Sequence, residues 1–168
     1  MSPDHAKRLL VAWPDMTLCN LYGPTEATVD ALGIEITAEI LARGPIPIGR
    51  PLNHYQAFVV DEALAVLPAG QTGQLVLAGP AIALGYHGRQ DLTAKAFLAD
   101  PRSGHSGQVY LTGDLACADA DGAFRFLGRA DRQVKLAGRR IELDGIEHAL
   151  RAHPGVVDAV VEVIEHQG

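Results

Sequence analysis

The sequence predicts a mixed α/β fold, and three observations carry this prediction. Of the 168 residues, 48% are hydrophobic, so the chain can bury a substantial core. Glycine and proline are plentiful, at 18 and 10 residues, whereas aromatic residues make up only 5%. Apolar segments recur at intervals of about a dozen residues between turn-forming residues, and this pattern favours short strands joined by turns over a helical bundle.

The first predicted elements are a helix and a strand that ends in a loop. Residues 4–12 predict a short helix whose residues 9–11 face inward. Residues 17–22 alternate as a strand does and stop at Gly23-Pro24, because this pair breaks regular structure. The loop then presents Thr25-Glu26 at a strand end, where open sheets commonly place ligand-binding groups.

Residues 45–128 predict a small antiparallel sheet or open barrel. The main apolar segments lie at residues 46–52, 56–61, 74–79, 109–119 and 123–128. We expect residues 109–119 to form two strands around a tight turn, and residues 119–122 to close a hairpin. Residues 90–98 predict an amphipathic helix.

The pattern changes after Gly128. Two short strands surround Gly138, a helix follows over about residues 143–152, and residues 156–165 predict a buried apolar strand. Because a strand needs neighbours, we expect the chain to stop part-way through a small α+β domain. The predicted domains are residues 1–44, 45–130 and 131–168.

Composition excludes several function classes. The net charge of −6 argues against nucleic-acid binding, since neutralising phosphates requires a basic face. No stretch approaches the ~18 apolar residues of a membrane span, and no signal-peptide core is present. Cys19 and Cys117 lack CxxC spacing, and the seven histidines have no ligand spacing, so no disulfide framework or histidine metal site is indicated. We expect a reduced, cytoplasmic setting.

Four segments carry a resemblance to a known enzyme family. They are NLYGPTEATVD (20–30), GQLVLAGPAIALGYHGRQDLTAKAF (73–97), VYLTGDL (109–115) and GRADRQVKLAGRRIELDGIE (128–147). In this order and spacing they resemble core motifs five to eight of the amino-acid adenylation domains of nonribosomal peptide synthetases, which belong to the adenylate-forming superfamily. The resemblance implies the end of the large domain's ATP-binding sheet, a barrel-like subdomain and the first half of an α+β C-terminal lid.

The resemblance also implies an activity for the complete enzyme. ATP and an amino acid would give an aminoacyl-adenylate and pyrophosphate, and the acyl group would then pass to the phosphopantetheine thiol of a peptidyl carrier domain. The implied cofactors are ATP and Mg²⁺. The implied partners are the amino-acid substrate, the carrier domain and the rest of a multidomain synthetase.

Five residues receive nucleotide-site roles from this resemblance. Tyr22 would offer a flat face to adenine, and Gly23 would let the backbone come close to the ligand. Thr25 would bond a phosphate oxygen, and Glu26 would hold Mg²⁺, which prefers carboxylate oxygen. Asp114 would accept the ribose hydroxyls. The plainer alternatives are a tight turn at GPTE and a turn-capping aspartate.

Three residues near the lid receive roles in the same way. Arg129 would contact the ribose or α-phosphate and act in catalysis beside Thr25 and Glu26. Asp131 would be the hinge about which the lid rotates. Gly138 would line the pantetheine path. A local surface ion pair between Arg129 and Asp131, and a simple hairpin glycine, are the alternatives.

The side-chain pocket for the amino acid would include Leu21, Val29 and Asp30. A buried carboxylate at Asp30 would favour a substrate with a hydroxyl, amide or ammonium group, because an unpaired buried charge is costly. The family's upstream phosphate loop, its amino-group aspartate and its C-terminal lysine are not in this sequence. We therefore expect that the isolated chain does not catalyse adenylation.

Several positions depart from the family pattern without removing a proposed ATP ligand. They are Gln74, Leu84, Leu111, Ala137 and Asp144-Gly145. Three alternatives stay open. The chain could come from an acyl- or aryl-CoA ligase, it could be a non-catalytic remnant serving as a structural or docking piece, or a further domain could be inserted after the eighth motif.

Overall fold

The structure is a computed structural model and describes residues 1–136 and 139–164. The chain divides into two compact units, Met1–Gly128 and Arg129–Gly168. The three-domain division predicted from the sequence stays a prediction.

The first unit begins with a capped helix, α1 (Pro3–Ala12). Ser2 is its N-cap and accepts a hydrogen bond from the His5 amide at 3.3 Å, while proline occupies the first helical position, where no amide is needed. Ala6 is the one fully buried side chain of the helix, and Val11 is 84% exposed. The expectation that residues 9–11 face inward is therefore wrong at Val11.

A three-stranded antiparallel sheet follows α1. Its strands are β1 (Cys19–Tyr22), β2 (Leu32–Glu35) and β3 (Arg50–Pro51), in the order β1-β2-β3. A one-turn 3₁₀ helix, Thr25–Ala27, lies between β1 and β2, and α2 (Ala38–Ala42) lies between β2 and β3. Strand β1 was predicted from the sequence, whereas β2 and α2, which are only four and five residues long, were not.

The predicted antiparallel sheet is confirmed as a five-stranded one. Its strands are β4 (Gln56–Val60), β5 (Thr72–Ala78), β6 (Phe97–Ala99), β7 (Gln108–Ala118) and β8 (Phe124–Arg129). They follow the order β4-β5-β7-β6, and β8 also pairs with β7. Residues 109–119, predicted as two strands around a turn, form the single long strand β7 with an irregularity in its register.

The helix predicted over residues 90–98 is shorter than expected. It spans α3 (Gln90–Ala96), and Phe97 already belongs to β6. The Phe97 ring packs against Tyr86 and Tyr110, and its backbone pairs with β7 opposite Tyr110. Burial of this aromatic ring against the sheet thus overrides the helical periodicity.

One core joins the two sheets of the first unit. Leu32 of β2, with Leu75 and Leu77 of β5, has no exposed surface, and all three belong to one cluster. Ala27, in the turn after β1, is part of the same cluster. Burial of one leucine side chain contributes about 1.5–3 kcal/mol to the free energy of unfolding. This cluster therefore anchors the turn of Thr25 and Glu26, the predicted phosphate and metal ligands.

The second unit is a small α+β structure. It contains an antiparallel pair, β9 (Gln133–Leu136) and β10 (Arg139–Glu142), followed by α4 (Leu143–Arg151). The buried strand predicted over residues 156–165 is wrong for the part that the structure describes. Residues 156–164 have no strand assignment, Val160 is 71% exposed and Val163 is 44% exposed.

Ion pairs and hydrogen bonds, and not strand pairing, fix the segment of residues 156–164. Glu147 of α4 is buried, and its carboxylate forms ion pairs with Arg132 at 2.9 Å and Arg151 at 3.3 Å. The Val161 amide donates to the same carboxylate at 2.8 Å. The two guanidinium groups also donate to the carbonyls of Val161 and Ala159, at 2.8 and 2.6 Å. The segment is thus tied to α4 through side chains.

We expect Glu147→Gln to destabilise the second unit at neutral pH and to remove part of its acid sensitivity. The Arg132 hydrogen bond, helped by the Val161 amide, holds the pKa of Glu147 below its ordinary value. Its stabilisation is therefore present above the unfolded pKa of about 4.3 and is lost as the pH falls through the lower folded value.

Thermal unfolding followed by circular dichroism from pH 7 towards pH 3 checks this prediction. Asp144→Asn is the matched control, since Asp144 also binds Arg132, at 3.0 Å, but is exposed. The interpretation is contradicted if Glu147→Gln and Asp144→Asn change the melting temperature equally at neutral pH.

Candidate functional site

The turn after β1 presents one exposed and one buried ligand candidate. Within Thr25–Ala27, Thr25 is exposed, whereas Glu26 and Ala27 are buried. Thr28 and Val29 then adopt left-handed conformations, with φ of 52° and 77°. Such values are unusual for β-branched residues and mark local strain that the surrounding structure must hold. We call Thr25–Ala27 the acidic turn.

Gly23 is required by the way the chain folds back after the acidic turn. A Cβ atom at Gly23 would lie 2.2 Å from the Val29 carbonyl oxygen. The Ala31 amide donates to the Tyr22 carbonyl at 2.9 Å, which closes the loop. The close approach found here is between two parts of the chain's own backbone.

A bulge in β7 brings Asp114 to Tyr22. Gln74 of β5 pairs with Leu115 and Val76 pairs with Leu111, so Leu75 faces three residues of β7. Gly113, in the middle of the three, has a φ of 76°. This bulge lies in the segment, residues 109–119, where the sequence predicted a tight turn between two strands.

Thr112 fixes the shape of this bulge. Its buried hydroxyl donates to the Leu75 carbonyl at 2.9 Å and accepts from the Asp114 amide at 3.0 Å. Asp114 is 8% exposed, and its Oδ2 accepts a hydrogen bond from the Tyr22 hydroxyl. Burial, and then the negative charge of Asp114, raise the pKa of Tyr22 far above its ordinary value.

A second tyrosine contacts the carboxylate of the acidic turn. The Tyr86 hydroxyl donates to Glu26 Oε1 at 2.6 Å, and the Glu26 side chain lies in a residue only 7% exposed. Two more bonds join the segment of residues 79–86, which we call the strap, to this turn and to Thr28, the residue that follows it. The Ala83 amide donates to the Glu26 carbonyl at 2.8 Å, and Thr28 Oγ1 donates to the Ala81 carbonyl at 2.8 Å.

The three residues predicted to line a substrate pocket lie around the same loop. Leu21 is 53% exposed and Val29 is 69% exposed, while Asp30 is only partly buried. The role of these three residues in a substrate pocket stays a prediction. Asp30 lies close enough to Tyr55 that its charge, after burial, contributes to a raised pKa of that phenol.

In the second unit, Arg129 and Asp131 form a bidentate ion pair. Arg129 Nε lies 2.6 Å from Asp131 Oδ1, and Nη2 lies 2.7 Å from Oδ2. Asp131 Oδ1 also accepts from the Gln133 amide at 3.1 Å. This is the geometry that the local ion-pair alternative describes. Gly138, predicted on the pantetheine path, lies outside the described residues.

Sequence reasoning missed three residues that build the site. Thr112 shapes the bulge, Tyr86 contacts Glu26, and Tyr55 donates its hydroxyl to the Ala27 carbonyl at 2.6 Å. Thr112 and Tyr86 lie inside the quoted TGDL and ALGY segments, so the motifs pointed to them without indicating a role. Tyr55 follows a loop that carries no motif signal.

Glu26 is the metal-ligand candidate that the sequence predicts in this unit. No group of three or more His, Cys, Asp or Glu side chains able to hold a metal occurs among residues 1–136 and 139–164. Glu26 alone still suits Mg²⁺, because that ion commonly takes one or two carboxylates and completes its shell with substrate phosphates and water. Within the same residues, no helix is long and apolar enough to cross a membrane.

Comparison with known proteins shows the family to which the chain belongs. The AMP-binding enzyme family matches residues 1–87. The chain is 45% identical to phosphinothricin tripeptide synthetase PhsB of Streptomyces viridochromogenes over 97% of its length, which is 14% of that protein. It is 41% identical to tyrocidine synthase 1 of Brevibacillus parabrevis over 95% of its length, which is 15% of that protein.

A solved structure shows the same fold. An NRPS protein containing adenylation and PCP domains superposes with a TM-score of 0.88 and 34% identity, covering 99% of this chain and 34% of the solved one. The chain thus spans about a seventh of the two synthetases and about a third of this structure. The resemblance noted in the sequence is confirmed: the chain belongs to the AMP-binding enzyme family and is part of an adenylation domain of the nonribosomal peptide synthetase type.

Proposed function

We propose that this chain supplies the adenosine and metal contacts of an amino-acid adenylation domain. The observation that carries the proposal is the hydrogen bond between Tyr22 and Asp114, which joins the YGPTE and TGDL segments across 92 positions of sequence. In the complete enzyme, an amino acid and ATP would give an aminoacyl-adenylate and pyrophosphate. The acyl group would then be loaded on the phosphopantetheine thiol of a carrier domain.

The residues of the first unit fit an adenosine nucleotide. Because the Tyr22 hydroxyl is held by Asp114, the orientation of its ring is set, and the ring is a rigid face on which adenine can stack. The Asp114 carboxylate can accept the ribose hydroxyls. Thr25 is exposed in the turn after β1 and can donate to a phosphate oxygen.

Glu26 would hold the magnesium ion of the nucleotide. Bound there, the ion would neutralise phosphate charge as pyrophosphate leaves. The chain's own contribution is positional: the core burial of Ala27 and the bonds from the strap keep the Glu26 carboxylate in one place. Pre-organised groups of this kind lower the barrier because little reorganisation is needed during the reaction.

Arg129, Asp131 and Gly138 belong to the lid in this proposal. Arg129 would exchange its bidentate bond with Asp131 for the ribose or α-phosphate, to which its planar donor fork is suited. Asp131 would serve as the hinge, and Gly138 would line the pantetheine path. The adenylation–PCP arrangement of the solved relative supports a carrier domain as partner.

Leu21, Val29 and Asp30 would line the amino-acid pocket. The partial exposure of Asp30 leaves its carboxylate able to meet a polar group of the substrate. A cytoplasmic location is part of the proposal, supported by ATP as co-substrate and by the two free cysteines, Cys19 and Cys117. The named relatives are peptide synthetases, so they favour this reading over a CoA ligase.

A chimera tests the proposal against a non-catalytic remnant. The aligned segment of tyrocidine synthase 1 would be replaced by this chain, which restores the parts that the chain does not contain. We expect amino-acid-dependent ATP–pyrophosphate exchange, and we expect Glu26→Gln in the chimera to lower it by about a hundred-fold. A folded chimera that binds ATP but shows no exchange would instead favour the remnant.

Asp114→Asn in the chimera tests the ribose contact. Because the substitution replaces a charged acceptor, we expect ATP to bind about ten- to a hundred-fold more weakly. We also expect the preference for ATP over 2′-deoxyATP to disappear. Isothermal titration measures both quantities, with Asp61→Asn, an exposed turn carboxylate of the same unit, as the control. A preference that survives Asp114→Asn would exclude the ribose role.

The same substitution has a spectroscopic consequence in the chain itself. Removing the Asp114 charge should lower the pKa of Tyr22, whereas its burial should keep that pKa above the ordinary value of about 10. Ultraviolet titration of phenolate formation measures the change, and Tyr22→Phe identifies which titration step belongs to Tyr22. An unchanged step in Asp114→Asn would mean that the two groups are not coupled in solution.

A further inference from the structure

The strap contacts the acidic turn on one side and α3 and β6 on the other, and Tyr86 takes part in both sets of contacts. On one side, the strap bonds to the acidic turn through the Ala83 amide and the Tyr86 hydroxyl. On the other side, the Tyr86 amide donates to Thr93 Oγ1 of α3 at 2.9 Å. The Tyr86 ring also meets Phe97 edge-on, with centroids 5.4 Å apart and planes at 74°.

The position of the Tyr86 ring is thus set by elements other than the turn it contacts. Phe97 belongs to β6 and packs in turn against Tyr110 of β7, at 5.0 Å between centroids. Tyr110 is only 1% exposed, so this aromatic row is part of the sheet's packed interior. Because its ring packs against these buried aromatic residues, the Tyr86 hydroxyl has little freedom to move with the Glu26 carboxylate.

We propose that Tyr86 is a positioning residue for the Glu26 carboxylate and thereby for the metal that accompanies the nucleotide. This inference rests on the proposed function, which gives Glu26 the metal. By donating to Oε1, the phenol fixes the rotation of the carboxylate and so the direction of its other oxygen. Magnesium demands near-ideal geometry, so a ligand that can rotate binds it less well.

The geometry also separates this role from simple support of the turn. Tyr55 donates its hydroxyl to the Ala27 carbonyl at 2.6 Å, and it is part-buried, as Tyr86 is. Both phenols therefore stabilise the acidic turn, but the Tyr55 bond goes to the backbone, whereas the Tyr86 bond reaches the carboxylate. Tyr55→Phe is thus a matched control for Tyr86→Phe.

The test is isothermal titration of the chimera described above with ATP, once with excess Mg²⁺ and once with EDTA. We expect Tyr86→Phe to weaken binding of the magnesium complex by about ten-fold and to leave metal-free ATP unchanged. Tyr55→Phe should change the two affinities by the same factor. In a Glu26→Gln background, Tyr86→Phe should have no further effect on the magnesium dependence, since both changes act on one carboxylate.

The outcomes separate the two proposals. A wild-type chimera that does not bind ATP would overturn the proposed function and this inference with it. A wild-type chimera that binds the magnesium complex, together with a Tyr86→Phe variant that binds it equally well, would overturn the inference alone. Equal weakening with and without Mg²⁺ would also overturn it, because that result would assign Tyr86 to support of the turn. Thermal unfolding of each variant confirms that it is folded.

Discussion

The first unit is organised around two buried carboxylates that have to be stabilised. Glu26 and Asp114 are 7% and 8% exposed, and a charge removed from water is costly without hydrogen bonds. Each receives the hydroxyl of a tyrosine far away in sequence, 60 positions for Glu26 and 92 for Asp114. The strap carries Tyr86 to Glu26, and the β7 bulge carries Asp114 to Tyr22.

The bonds also explain why the segments recognised in the sequence are brought together in space. YGPTE provides Tyr22 and Glu26, TGDL provides Asp114, and ALGY provides Tyr86. One bond links the first segment to the second, and another links the first to the third. Each of these hydrogen bonds thus takes its donor from one motif and its acceptor from another. Loss of either residue would leave its buried partner with one hydrogen bond fewer.

The sequence predicted what depends on local pattern and missed what depends on distant partners. Strands β1, β4, β5 and β8 and helix α4 were predicted from periodicity and turn residues, and the candidate site residues of YGPTE and TGDL were predicted from family resemblance. The β7 bulge could not be predicted, because it depends on Thr112 bonding a carbonyl of the neighbouring strand. Residues 156–164 read as a strand because they are apolar, yet Arg132 and Arg151 tie them to α4 through Glu147.

Two kinds of donor, arginine and tyrosine, contact the carboxylates described above. Glu147 and Asp131 are bound by arginines, which neutralise the carboxylate they contact. A phenol is a neutral donor, so the bonds from Tyr22 and Tyr86 orient the Asp114 and Glu26 carboxylates without adding a positive charge of their own. For a structural carboxylate, neutralisation is an advantage. A carboxylate that is to accept sugar hydroxyls or attract a cation needs a fixed orientation, and each of those two bonds contributes to that orientation.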